Sequence, residues 1–75
     1  MNHRILPNRD DIHAIIEYRH RAKLPVTVMT IAAELETRGK PTTTTTIRNH
    51  THLLEAAGLI RRHRNRPGPD TFEPA

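Results

Sequence analysis

The chain contains no cysteine, no serine and no tryptophan. Without cysteine there is no disulfide framework, no thiolate metal site and no cysteine nucleophile. Without serine the commonest hydroxyl nucleophile is gone as well. Aromatic side chains are nearly as scarce, Tyr18 and Phe72 being the whole supply. Single-stranded nucleic acid is usually held by bases stacking on such rings, so that mode of binding is disfavoured. Apolar runs are short, and Thr27 interrupts even the stretch from Val26 to Met29. A membrane-spanning helix needs about twenty apolar residues, and the opening residues MNHRILPNRD have none of the apolar stretch of a signal peptide. The expectation is an intracellular, cytoplasmic protein without a membrane segment.

What remains is 75 residues, 35% apolar and 27% charged, a balance that suits one small folded domain and not a disordered chain. The formal charge of +4 is unevenly placed. Up to Thr37, Arg4, Arg9, Arg19, Arg21 and Lys23 are cancelled by Asp10, Asp11, Glu17, Glu34 and Glu36. From Arg38 onward seven basic residues face only three acids, so the whole excess lies in the second half. Its densest part is Arg61, Arg62, Arg64 and Arg66. Such asymmetry fits a polyanionic partner, although a charge excess alone fits a solvated surface equally well.

Asn8 is a good helix cap, and Asp10 and Asp11 follow it where the helix dipole favours acids. Ile12, Ile15, Ile16 and Arg19 keep helical spacing, which predicts a first helix over 9–22, and Leu24-Pro25 ends it. Thr27 caps a second helix over 28–38, with Ile31, Ala32 and Leu35 inward and Gly39-Lys40-Pro41 as its stop. Thr42 to Thr46 are five consecutive threonines. Composition alone would make them a β-strand or a low-complexity segment. An early threonine capping a third helix over 43–57 fits better, because Ile47, Thr51 and Leu54 then share a face and Gly58 takes the C-terminal glycine position. Leu59 to Arg64, a turn at Asn65-Arg66-Pro67-Gly68-Pro69 and a return over Asp70 to Glu73 predict a hairpin spanning about 59–73. The last residues, Glu73-Pro74-Ala75, add no further element. The fold class is α+β, mainly α. The expected core is Ile12, Ile15, Ile16, Ile31, Leu35, Ile47, Leu54, Leu59 and Phe72, which leaves Ile5, Leu6, Tyr18 and Leu24 over.

The stretch Thr46-Ile47-Arg48-Asn49-His50-Thr51-His52-Leu53-Leu54-Glu55-Ala56-Ala57-Gly58-Leu59-Ile60-Arg61-Arg62 resembles the recognition helix and wing start of winged helix-turn-helix regulators of the GntR and MarR kind. Thr27-Val28-Met29-Thr30-Ile31-Ala32 is similar to the helix before the turn in that family. The likeness covers about Asn8 to Phe72. It departs from the family at Thr43, where a serine is common, and at the polar His50 and Thr51. It implies a winged helix-turn-helix fold, duplex DNA as partner, and a third helix that reads the major groove. No effector or small-molecule ligand is implied.

The residues support DNA binding independently. With Ile47 and Leu54 inward, a helical wheel turns Thr44, Thr45, Arg48, Asn49 and His52 outward. Arginine can pair with guanine and asparagine with adenine in the major groove. Threonines at a helix N-terminus, including the cap candidate Thr43, suit phosphates. Arg62, Arg64 and Arg66 would form the wing, and Lys40 would flank the helix near the backbone. This predicts a sequence-specific transcription regulator, a repressor by simple promoter occupancy. One domain this small buries little DNA, so a homodimer on a palindromic site is expected, through the first helix and the N-terminal arm with Ile5, Leu6, Tyr18 and Leu24.

Other readings fare less well. A winged-helix protein-interaction module would typically lack the basic face. Six histidines raise the question of a metal, but His50 and His52 point roughly 200° apart on a helix. His13 and His20 stand roughly 10 Å apart along theirs, too far for shared ligation. Neither metal nor cofactor is expected. Paired acids in a pocket and a glycine-rich phosphate loop are also missing, so no enzyme activity is expected. If His52 and His63 lie at the interface, acidification should strengthen DNA binding.

Overall fold

In a computed structural model, residues 6–75 are described, and they form α1 (Arg9–Arg21), α2 (Val28–Thr37), α3 (Thr44–Ala56), β1 (Ile60–His63) and β2 (Thr71–Pro74). Each helix begins at a polar cap. The Asn8 side chain accepts from the Asp11 N–H at 2.8 Å while the Asp11 carboxylate accepts from the Asn8 N–H at 2.8 Å, a reciprocal box that satisfies two otherwise free donors. Thr27 and Thr30 make the same exchange at the start of α2. At α3 the cap is Thr43, whose hydroxyl accepts from the Thr46 N–H at 3.2 Å.

All three helices end alike. The N–H groups of Leu24, Lys40 and Leu59 reach back to the carbonyls of Arg19, Leu35 and Leu54, and those of Lys23, Gly39 and Gly58 to His20, Glu36 and Glu55. This closure needs a left-handed residue. Gly39 and Gly58 provide it with φ of 76° and 75°, whereas at the end of α1 Lys23 adopts φ 59° with a full side chain. The stop of α1 thus precedes Leu24-Pro25.

The two strands pair antiparallel, with Arg61 opposite Glu73 and Arg62 opposite Phe72. β2 extends one residue beyond the expected hairpin, and the Ala75 N–H donates to the Leu59 carbonyl. Pro74, which has no N–H to give, is accommodated because it stands opposite Ile60 where its nitrogen, like that of Phe72, faces away from β1. On its other side β2 touches the α1–α2 connection, where the Phe72 N–H donates to the Val26 carbonyl at 3.0 Å.

Ile12, Ile15 and Ile16 of α1, Val26, Ile31 and Leu35, Ile47 and Leu54 of α3, and Ile60 and Phe72 of the hairpin make up one buried core. Leu59, expected inside, is 45% exposed and Ile60 takes its place. Side chains alternate along a strand, so a shift of one residue in where the strand starts exchanges the inner and outer sets. Tyr18, outside the expected core, is half-exposed under the Arg38 guanidinium, 5.7 Å from its ring centre. Thr51 is fully buried in the apolar seam of α3, and its hydroxyl is satisfied by donating to the Arg48 carbonyl. Among the described residues no helix is long and apolar enough to cross a membrane.

Candidate nucleic-acid interface

α3 buries Ile47, Thr51 and Leu54 and turns a second stripe, Thr45, Arg48, Asn49 and His52, to solvent, all four exposed. The exposed set keeps i, i+3, i+4, i+7 spacing, a ridge about 10 Å long. Thr43 is exposed at the cap, and Thr44 is half-buried. The first turn of α1 carries Asp10 and Asp11, but those of α2 and α3 contain no acid. The positive dipole end of α3 is therefore not neutralised by its own side chains, which favours an external anion there.

Arg64 and Arg66 lie between the strands, exposed, and among the described residues neither they nor Arg48 pair with a carboxylate. Asn65 steadies this loop by donating from its side-chain amide to the Pro69 carbonyl and the Thr71 hydroxyl, each at 3.2 Å. Arg61 lies 3.9 Å and His63 2.7 Å from the Glu73 carboxylate. The His63 hydrogen bond is the main cause that holds Glu73 below the usual carboxylate range.

Two of the expected contact residues are otherwise engaged. Lys40 donates to Asp11 at 3.0 Å, tying the turn before α3 to the start of α1. Asp11 is held below its ordinary value first by the Asn8 backbone N–H and then by Lys40. Arg62 approaches Glu55 at 3.4 Å and Asp70 at 3.8 Å and stands 5.5 Å over the Phe72 ring. Both cations thus have carboxylates beside them, as Arg64 and Arg66 do not among the described residues. Sequence reading missed these partners because Asp11 lies 29 residues from Lys40, and no local pattern links Glu55, Arg62 and Asp70.

Between α2, α3 and the hairpin lies a groove of ≈ 230 Å³ whose lining includes Val28, Met29, Arg48, Arg62, Asp70 and Phe72. Arg48 thus stands where the outer stripe of α3 meets the wing. His50 and His52 diverge as the wheel predicts. His52 is exposed on the outer stripe, whereas half-buried His50 lines a hollow beside Asn8, Arg9 and Asp10 with its Nδ1 buried and unpartnered among the described residues.

Three helices followed by an antiparallel hairpin, with the third helix and the hairpin side by side, define a winged-helix domain, an architecture compatible with nucleic-acid binding and with protein interaction. The ribonuclease R winged-helix domain matches residues 13–69. With most of its length matched, the chain belongs to the ribonuclease R winged-helix domain family. No curated protein and no solved structure matches the chain at a significant level. The winged-helix part of the expected resemblance therefore holds.

Proposed function

We propose that the chain is a sequence-specific double-stranded DNA-binding transcription regulator, a repressor acting by occupancy of its site. α3 enters the major groove, Arg48 and Asn49 read base edges, and Thr45 and His52 contact the groove beside them. Thr43 and Thr44 place the α3 N-terminus against a phosphate. Arg64 and Arg66 follow the backbone or enter the adjacent minor groove. The observation that carries this reading is the exposed polar stripe of α3, with no acid in its first turn, beside two wing arginines that no carboxylate neutralises. A homodimer on a palindromic site supplies the contact area that one domain lacks. Leu6, Tyr18 and Leu24 are exposed and available for it, while Ile5 lies outside the described residues.

The family name brings a second reading, RNA, since a ribonuclease acts on it. The geometry favours DNA. Duplex RNA has a deep, narrow major groove that a helix cannot read, and single strands call for stacking rings. Phe72 is buried and Tyr18 belongs to α1, so neither ring lies on the α3 stripe or in the wing loop. Selection from random duplex DNA, with duplex and single-stranded RNA run alongside, tests the assignment. Enrichment of a palindromic DNA consensus is expected. Enrichment of RNA alone overturns the DNA reading, and failure of every pool favours a protein-interaction module.

A further inference from the structure

Arg62 looks like one of three equivalent wing arginines in the sequence, and its surroundings set it apart. Its side chain is only 21% exposed, and its Nε is cut off from solvent without a hydrogen-bond partner among the described residues, so that its tie to Glu55 is an ion pair. Nε lies 3.4 Å from the Glu55 carboxylate on the last turn of α3. Nη1 lies 3.8 Å from Asp70, just before β2. The guanidinium plane stands over Phe72, the β2 residue that enters the core. A guanidinium is a rigid planar fork that can hold two carboxylates and stack on a ring together. Arg62 therefore joins the end of the reading helix, the end of the wing loop and the core anchor of the hairpin. To reach a phosphate it would have to leave both acids. It also lines the same groove as Arg48, so a change in the pose of the wing alters the space in which the foremost base-reading candidate stands.

We propose that Arg62 is a positioning residue that sets the angle between the wing and α3 and makes no DNA contact of its own. This rests on the reading of α3 and wing as the DNA-binding face. The Glu55–Arg62–Asp70 cluster acts as a brace. Arg64 and Arg66 supply the attraction to the backbone, and the brace decides whether they and Arg48 engage one site together.

Three variants of the full chain test this. R62M keeps an unbranched apolar stem against Phe72 and loses the fork. R62K keeps the charge and loses the fork. The double variant E55Q/D70N keeps Arg62 and releases it. The specific-to-non-specific affinity ratio on the selected duplex, its salt slope, and amide hydrogen exchange over residues 60–74 are measured for each. A positioning role lowers the ratio by about fivefold in R62M, leaves its salt slope unchanged, and speeds hairpin exchange. R62K is not rescued, and E55Q/D70N loses specificity despite the freed arginine. The proposal is overturned if R62M flattens the salt slope by about one unit and R62K restores it. It is likewise overturned if E55Q/D70N binds its site more selectively with hairpin exchange unchanged. If the wild-type chain selects no duplex at all, the DNA reading fails by itself. Hairpin exchange then still decides on the brace, which stands if the variants accelerate it and falls if they do not.

Discussion

Alanine at Arg48 and alanine at Arg64 remove one exposed guanidinium each, yet the two losses should differ in kind. Arg48 stands on the outer stripe of α3, beside the groove that separates it from the wing. A bidentate pair with a guanine edge is worth about 1–3 kcal/mol of discrimination, which is roughly fivefold to 150-fold in affinity for the cognate site. The penalty should nearly vanish on unrelated duplex and change little with salt, because no phosphate is given up. Arg64 lies between the strands, and under the proposed function its contribution would be one neutralised phosphate. For B-DNA that contact contributes about 0.9 to the slope of log affinity against log salt. Between 50 and 200 mM salt the disadvantage of Arg64→Ala should therefore shrink about 3.5-fold, on cognate and random duplex alike. Fluorescence anisotropy titrations of both variants on two duplexes at three or more salt concentrations separate the cases. If Arg48→Ala loses affinity equally on both duplexes, or if Arg64→Ala keeps the wild-type slope, the division between base reading and backbone attraction is refuted.

Further measurements bear on the fold. Lys23→Gly relieves a left-handed backbone that costs about 1–2 kcal/mol in an L-residue and gives back part of it as chain entropy. A net gain of about 0.5–1 kcal/mol should raise the midpoint of thermal unfolding by a few degrees, and a fall would show that the Lys23 side chain contributes more than its backbone costs. Leu54→Ala should cost about 2–5 kcal/mol, as for other fully buried leucines, leaving the domain marginal by calorimetry. Thr43→Ala should cost about 1 kcal/mol through the lost cap of α3, read by urea unfolding. The depressed carboxyl of Asp11 gives a sign to the acid limb of stability. A group whose folded pKa lies below its unfolded value stabilises above the unfolded value, and that contribution is lost as pH falls through the folded one. Asp11→Asn should therefore weaken the fold at pH 7 and flatten the loss of stability below about pH 4, whereas an unchanged acid limb would detach Asp11 from it.

The parts of this fold legible in the sequence are those decided within one helical turn. Asn8, Thr27 and Thr43 accept from residues three positions on, and Gly39 and Gly58 sit where a left-handed residue closes a helix, so caps and stops follow from spacing alone. The outward stripe of α3 follows from its inward one by the same periodicity. Leu59 and Ile60 were not separable in this way, because both are apolar and the choice between them depends on where Gly58 releases the chain into β1. Lys23 takes a glycine's conformation without being glycine, which no propensity signals. Lys40 and Arg62 looked like free surface cations because their carboxylate partners come from other elements. Charge counts give the supply of cations, and only the fold assigns them to acids.

That assignment bears on how the domain can work. Of the seven basic residues from Arg38 onward, Lys40, Arg61 and Arg62 have carboxylates within 4 Å, and Arg38 lies over Tyr18. Arg48, Arg64 and Arg66 remain, one on the third helix and two on the wing. With about 0.9 units of salt slope per neutralised phosphate, the wing pair alone would give one copy a slope near two, typical of weak binding. Two copies on a two-fold site would double both the phosphate contacts and the base-edge contacts. If a reading head with so few free cations is specific at physiological salt, its specificity must come from two α3 helices held at a fixed separation. Sedimentation velocity with the selected duplex should then show two chains per site. Tight binding of a single chain to a half-site would mean that further cations reach phosphates, either Arg38 from its place over Tyr18 or Lys40 and Arg62 by exchange of their carboxylates.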